Sequence, residues 1–436
     1  MPRSDIFHQD FKAKPFWWEA YQPSITEATD VPHTARVAIV GGGYAGLCTA
    51  IELNKHGIDA VVLDAAEPGF GGSTRNGGMV SGGTSVGKRY TGANSATELE
   101  RLLTDASDSF TVIERMIEDN KIDCEWTKSG RFGGAWAKKH FAQMAKKLGP
   151  LNEHADSDAY MLPKERQRDE IASDYYHGGM VANRAAHLHP AKYYKGLLDI
   201  ATAKGIAICG KAPVSKIAQV GAKWHVETAR GTVEAGDVVI ATNGYTGDVT
   251  PNLKRRVVPV GSYIIATEEM PLDLAHSLMP KNKSIYDTRR VLTYYRMSGD
   301  RRRLIFGGRA KFSLSDPLDT APILHQQMLD RFPQLAGVKI THAWTGNVAF
   351  TFDEVPHMGK MDGLHYALGC NGSGVAMMTY LGTQTARKIA GVANYACAFD
   401  RAEFPDHRLY NGDPKRLLPL LGPYFRTRDW LDRTFG

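Results

Sequence analysis

The stretch Val37-Ala38-Ile39-Val40-Gly41-Gly42-Gly43-Tyr44-Ala45-Gly46 restricts the fold more than any other part of the chain. Its apolar start reads as a buried strand. Gly41, Gly43 and Gly46 then keep the G-x-G-x-x-G spacing. The first glycine of such a run allows a tight turn off the strand. The second lets backbone amides approach a pyrophosphate, and the third lets the following helix pack on the sheet. Residues 47–55 read as that helix, with Gly57 as its stop. Ala60-Val61-Val62-Leu63 is a second buried strand, and Asp64 closes it where an acid meets the ribose hydroxyls of a dinucleotide. Strand, glycine turn, helix and strand make one βαβ unit with a parallel sheet.

Residues 1–35 form an arm with Phe16-Trp17-Trp18 in its middle, a cluster expected to lie on the surface of the body. Residues 69–92, dense in Gly, Ser and Thr, read as a long functional loop. Helical patterns follow over 95–120 and 191–203, the second opened by His189-Pro190. Strands are expected at 205–208, 224–228 and 237–241. From Arg256 to Arg309 runs such as Val291-Leu292-Thr293-Tyr294-Tyr295 and Leu304-Ile305-Phe306 predict a separate, antiparallel layer. Arg301-Arg302-Arg303, behind Gly299-Asp300, reads as a solvated hairpin turn.

The 53 Lys and Arg against 47 Asp and Glu leave a net charge of only +6 and no basic block, which argues against nucleic acid as a partner. The five cysteines form no close pair and no metal-ligand spacing, so no metal is expected and a reducing compartment, the cytoplasm, fits best. No apolar run has the length of a membrane span.

A second glycine loop, Gly369-Cys370-Asn371-Gly372-Ser373-Gly374, sits just before the last long helical pattern of the main body, which runs to about Ala390. NAD needs only the first loop. FAD needs a second helix start or loop, facing the pyrimidine edge of the ring, where negative charge gathers on reduction. Two glycine-lined helix starts therefore favour FAD.

The order of these motifs resembles the D-amino-acid oxidase superfamily of flavoproteins, and within it the γ-glutamylputrescine oxidase branch. The resemblance covers nearly the whole chain. It is carried by Pro15-Phe16-Trp17-Trp18-Glu19-Ala20, the first glycine loop, Gly72-Ser73-Thr74-Arg75-Asn76-Gly77-Gly78, His189-Pro190, Ala241-Thr242-Asn243-Gly244, Phe306-Gly307-Gly308-Arg309 and the second glycine loop. It implies an α/β fold, a Rossmann-like FAD domain interleaved with an α+β substrate domain on a mostly antiparallel sheet. The expected FAD domain gathers residues 36–115, 185–250 and 350–395. The substrate domain takes 116–184 and 251–349, and a tail follows over 396–436.

The resemblance also implies roles for single residues. Gly41, Gly43, Tyr44, Ala45 and Gly46 hold the pyrophosphate, and Asp64 the ribose. Gly72, Ser73, Arg75, Asn76, Gly77, Gly78, Met79 and Val80 run beside the ribityl chain and ring. Val214 meets the adenine, Asn243 and Gly244 lie near the dinucleotide, and Gly372, Ser373, Gly374 and Val375 face the pyrimidine edge. The sarcosine-oxidase relatives bind flavin covalently through a cysteine. The comparable stretch here, Gly346 through Glu354, has none, so the FAD is expected to be non-covalent.

The chemistry so implied is oxidation of a carbon–nitrogen bond: hydride leaves the α-carbon of a neutral amine for flavin N5, the imine hydrolyses, and oxygen takes the electrons as peroxide. The alternative is a dehydrogenase of a secondary or cyclic amino acid that reduces a quinone or a carrier protein. Such chemistry asks the protein for orientation more than for acid–base groups. Tyr295, Trp344 and Arg309 are the candidate pocket residues. Strand alternation sends Tyr294 and Tyr295 to opposite faces, and the family position fits either one. Trp344 fits core packing as well as substrate contact, and Arg309 fits a carboxylate or a surface pair. His189 is read as a helix start and His357 as structural.

Overall fold

The computed structural model describes residues 3–24, 29–82, 95–312 and 315–435. The glycine-loop strand Thr34–Val40 is central to a sheet of eight strands. Gly231–Ile240 and then Leu364–Leu368 lie on one side of it, and Ala60–Leu63 and then Ala207–Cys209 on the other, all parallel. Helices Tyr44–Lys55, Ala96–Asp119, Pro190–Ala203 and Gly374–Ile389 cover one face and form one core with it. The strands Val214–Val220 and Lys223–Thr228 extend the sheet by antiparallel pairing.

A second sheet of nine strands carries the expected antiparallel layer. Its centre is Val258–Thr267 between Ile340–Phe350 and Leu304–Gly308, followed by Thr293–Met297 and Ser284–Asp287. All of its pairings are antiparallel except those of Phe7–Lys12 with Ile340–Phe350 and of Ser284–Asp287 with Arg131–Gly134.

Four local expectations need correction. The helix after the glycine loop begins at Tyr44 rather than Leu47, because Leu47 already donates its amide to the Gly43 carbonyl at 3.0 Å. The strand expected from Val291 begins at Thr293, because the Val291 amide is taken by Asp429 Oδ2 at 2.9 Å. The loop expected over 69–92 contains a strand, Met79–Ser81, paired with Ala185–His187; residues 83–92 lie outside the described residues. The aromatic arm packs against the body but reaches deeper than its surface. Trp17 is fully buried, and its indole donates to the Asn76 carbonyl at 2.8 Å.

Candidate active site

The two glycine-started helices lie side by side. A Cβ on Gly46 would come within 1.9 Å of the Gly41 carbonyl oxygen, and one on Gly382 within 2.3 Å of the Ala45 carbonyl oxygen. A side chain at Gly46 would push its helix off the glycine turn before it, and one at Gly382 would force the two helices apart. Thr49 ties the pair together, donating from Oγ1 to the carbonyls of Ala45 and Gly382. The two helix starts, distant in sequence, thus open onto one space.

That space is a pair of adjoining cavities. The larger, about 370 Å³, is lined by Gly41, Gly43, Tyr44, Ala45, Asp64, Ser73, Val214 and Asn243. Of the residues expected at the nucleotide, Gly46 and Gly244 stand outside the lining. Gly46 serves helix packing, and Gly244 offers its carbonyl to Asn347 Nδ2 at 3.1 Å. Asp64 accepts from the Gly42 amide at 2.7 Å and the Ala66 amide at 2.9 Å, which fixes the loop. Burial raises its pKa against these hydrogen bonds. Cys370 also lines this cavity.

The smaller cavity, about 170 Å³, is lined by Arg75, Gly77, Met79, Val80, Ser373 and Val375, with Arg131, Ser262, Tyr286, Tyr294 and Arg309 opposite. Gly72, Asn76, Asn347, Val348, Gly372 and Gly374 line both cavities and join them. At this junction Asn347 Oδ1 is buried with no hydrogen-bond partner among the described residues. A long split cavity, floored by glycines and carrying a spare polar atom at its waist, fits an extended dinucleotide.

The loop between the cavities is held rigidly. Asn76 donates to the carbonyls of Gly72 and Ser73 and accepts from the Gly78 amide at 2.8 Å. Gly78 has φ +70°, and a Cβ there would meet the Leu188 carbonyl oxygen at 2.1 Å, so it shapes the loop without lining a cavity. Trp18 donates to Thr74 Oγ1 at 3.0 Å, and the Arg75 guanidinium sits 4.6 Å from its ring centre. Arg75 also donates to the carbonyls of Phe70 and Thr345.

The candidate pocket residues divide. Tyr295 is corrected: it is fully buried in the core of the second sheet, stacked on Phe306 and bonded to the Tyr176 hydroxyl at 2.9 Å. Its neighbour Tyr294 lines the cavity and meets Ser262 Oγ at 2.9 Å. Gly77 and Gly307 make room for the Tyr294 ring, since a Cβ on either would fall within 3 Å of it. Burial pushes the Tyr294 phenol up to about 12, against the Ser262 hydrogen bond. Trp344 is corrected too: it is buried outside the cavity, and its indole donates to the Arg75 carbonyl at 2.8 Å, steadying the loop. Arg309 does line the cavity, donating to the Arg290 carbonyl at 3.0 Å, with its guanidinium 4.4 Å from the Phe350 ring centre. His189 caps its helix, accepting from the Lys192 amide. His357 is buried against Asp353 at 3.0 Å.

Arg131, Tyr286, Ser262 and Asn347 escaped sequence reasoning. Each is a lone residue on a strand, with no local motif around it. Arg75, Arg131 and Arg309 are the charged side chains of the smaller cavity, and no carboxylate stands among its described lining residues.

A family model described as FAD-dependent oxidoreductase, the DAO family, matches residues 36–388. The chain belongs to the DAO family of FAD-dependent oxidoreductases. It is 33% identical to the gamma-glutamylputrescine oxidoreductase of Escherichia coli strain K12, over 91% of this chain and 93% of that one. It is 30% identical to the probable oxidoreductase OrdL of Haemophilus influenzae, over 94% and 91% of the two chains. Among solved structures, glycine oxidase from Geobacillus kaustophilus superposes with a TM-score of 0.71 at 18% identity, covering 86% of this chain and 99% of that one. L-Proline dehydrogenase from P. horikoshii gives 0.70 at 16%, covering 85% and 97%. As a DAO-family enzyme the chain uses FAD, and the fold of these neighbours is its own. No helix among the described residues is long and apolar enough to cross a membrane.

Proposed function

We propose that the chain oxidises the carbon–nitrogen bond of a small amine that also carries a carboxylate, with oxygen as electron acceptor and hydrogen peroxide as product. One observation carries the reading: the described residues that line the smaller cavity include three arginines and no carboxylate. In such surroundings an ammonium group is disfavoured and a neutral amine favoured, because like charges at short range oppose the charged form. The neutral amine is the form whose α-carbon gives up hydride. The same guanidiniums attract a carboxylate.

Residues around the larger cavity, including Gly43, Asp64 and Val214, would hold the nucleotide half of FAD. Gly77, Met79, Val80, Ser373 and Val375 would border its ring, without a covalent link. Bound FAD supplies the hydride acceptor. The chain supplies orientation. Tyr294, with a pKa near 12, stays protonated at neutral pH. Its hydroxyl positions the substrate rather than taking a proton. The imine product is then hydrolysed to a carbonyl. The likeness to the Escherichia coli enzyme supports an acylated diamine as the substrate class.

The test is an anaerobic titration of the yellow holoenzyme with amines and amino acids. Bleaching of the flavin bands by carboxylate-bearing amines is the expected result. An absence of bleaching across the series would overturn the reading. Peroxide release in air tests the acceptor; turnover with a quinone and no peroxide would reassign it.

A further inference from the structure

A third cavity, about 430 Å³, adjoins the smaller one. Val260, Tyr286, Arg309, Phe350 and Asn371 line both and form a neck between them. Its outer rim reaches solvent at the exposed Gln143. One wall comes from the C-terminal helix Pro414–Phe435, through Leu417, Leu418, Leu421 and Phe425. The rest of the wall is mixed. Lys147, Arg289, Arg290 and Arg309 line it against Asp287 and Glu354, so cations predominate.

Arg289 is the informative residue. Its Nε donates to Asp287 Oδ2 at 3.0 Å, but its Nη2 is buried with no hydrogen-bond partner among the described residues. Such an orphan donor is costly unless something fills it. Asp287 cannot do so, because the buried Arg331 also claims Oδ2, at 3.0 Å. Arg433, on the C-terminal helix, brings a further positive charge: its guanidinium lies 4.6 Å from the Trp136 ring centre, and that of Arg289 lies 5.0 Å from the same ring. One carboxylate therefore serves two guanidiniums with a third beside them. Among the described residues this cluster is short of an anion.

We propose that the smaller and the outer cavity together hold one elongated amine, with the amino end in the smaller cavity and a distal carboxylate on Arg289 Nη2. The C-terminal helix forms the wall that sets the length accepted. This rests on the amine reading above but moves the carboxylate that reading requires from the smaller cavity to the outer one, with Arg309, which lines both, between them. A short amine or glycine would leave the outer cavity unused.

The experiment compares 1,4-diaminobutane capped by a glutaryl group with the same diamine capped by a pentanoyl group, which differ only in a distal carboxylate against a methyl. Flavin bleaching and initial rates are measured for the wild type, Arg289→Gln and Leu421→Trp, each checked for bound flavin. A charged hydrogen bond of this kind corresponds to roughly 10- to 100-fold in affinity. In Arg289→Gln, KM for the glutaryl amine rises by that factor with kcat retained, and the pentanoyl amine is unaffected. Leu421→Trp slows both capped amines and leaves butylamine unchanged. Equal effects of Arg289→Gln on both capped amines, or no effect of either variant, overturn the proposal while leaving the amine reading intact. If neither capped amine nor butylamine bleaches the wild-type flavin, the amine reading falls and this inference with it. Should Arg289→Gln lose its flavin, Leu421→Trp decides alone.

Discussion

Two adjacent tyrosines carry opposite duties. Tyr294 points into the cavity and Tyr295 into the core. Tyr294→Phe removes a hydroxyl that meets Ser262, so a loss of up to about tenfold in kcat/KM is expected, in line with one neutral hydrogen bond. Flavin content should not change. Tyr295→Phe removes the partner of Tyr176 instead. It should cost about 1 kcal/mol of stability and leave KM alone. Steady-state kinetics and thermal melts of the two variants check the assignment, and a KM change confined to Tyr295→Phe would reverse it. Sequence alone left this pair undecided for a physical reason. Both faces of that strand are covered, Tyr294 by Gly77 and Gly307 and Tyr295 by Phe306, so no polar side breaks the tie.

The aromatic arm and the C-terminal helix both act by holding other elements. Trp17 is fully buried, donates to the Asn76 carbonyl and lies 4.8 Å from the Arg296 guanidinium. Trp17→Ala should cost about 3–5 kcal/mol and loosen the loop from Ser73 to Gly78. Denaturant melts and faster flavin release on dilution would register both effects. The C-terminal helix is anchored by Asp432, which meets Lys139 at 2.6 Å and Arg290 at 2.5 Å. Burial raises the Asp432 pKa, but the hydrogen bonds from Lys139 and Arg290 outweigh it and hold it at about 2. That is below the value of about 3.9 in an unfolded chain. The stabilisation is therefore complete above about pH 4 and is lost as pH falls toward 2. Melting temperatures of the wild type and Asp432→Asn should converge over that interval; a gap independent of pH would remove the ion pair as its cause.

Across the whole molecule, the cavities lie between two sheets that share no strand. The inner face of one supplies glycine loops, and the other supplies Arg131, Tyr286, Tyr294 and Arg309. A ligand in that seam couples the two. FAD at a hundredfold excess over its dissociation constant should stabilise the fold by about 2.7 kcal/mol. Calorimetry of the apo- and holoprotein would then show one cooperative transition moving upward; two transitions, only one of them shifted by FAD, would mean that the halves unfold separately.

The strand, glycine turn and helix at Val37 to Lys55 were legible directly, as was the second glycine loop, because consecutive residues encode them. Backbone sterics and hydrophobic periodicity act over a few positions, and they read the same in any fold. The likeness of the whole motif order pointed to FAD before any geometry was known. The character of the substrate cavity was another matter. Arg75 and Arg309 were named by likeness, but Arg131 and the neck that joins Tyr286 to Asn371 were not. Only tertiary contacts over long sequence separations bring those side chains together, and no local pattern records which face of a fully covered strand will meet the cavity.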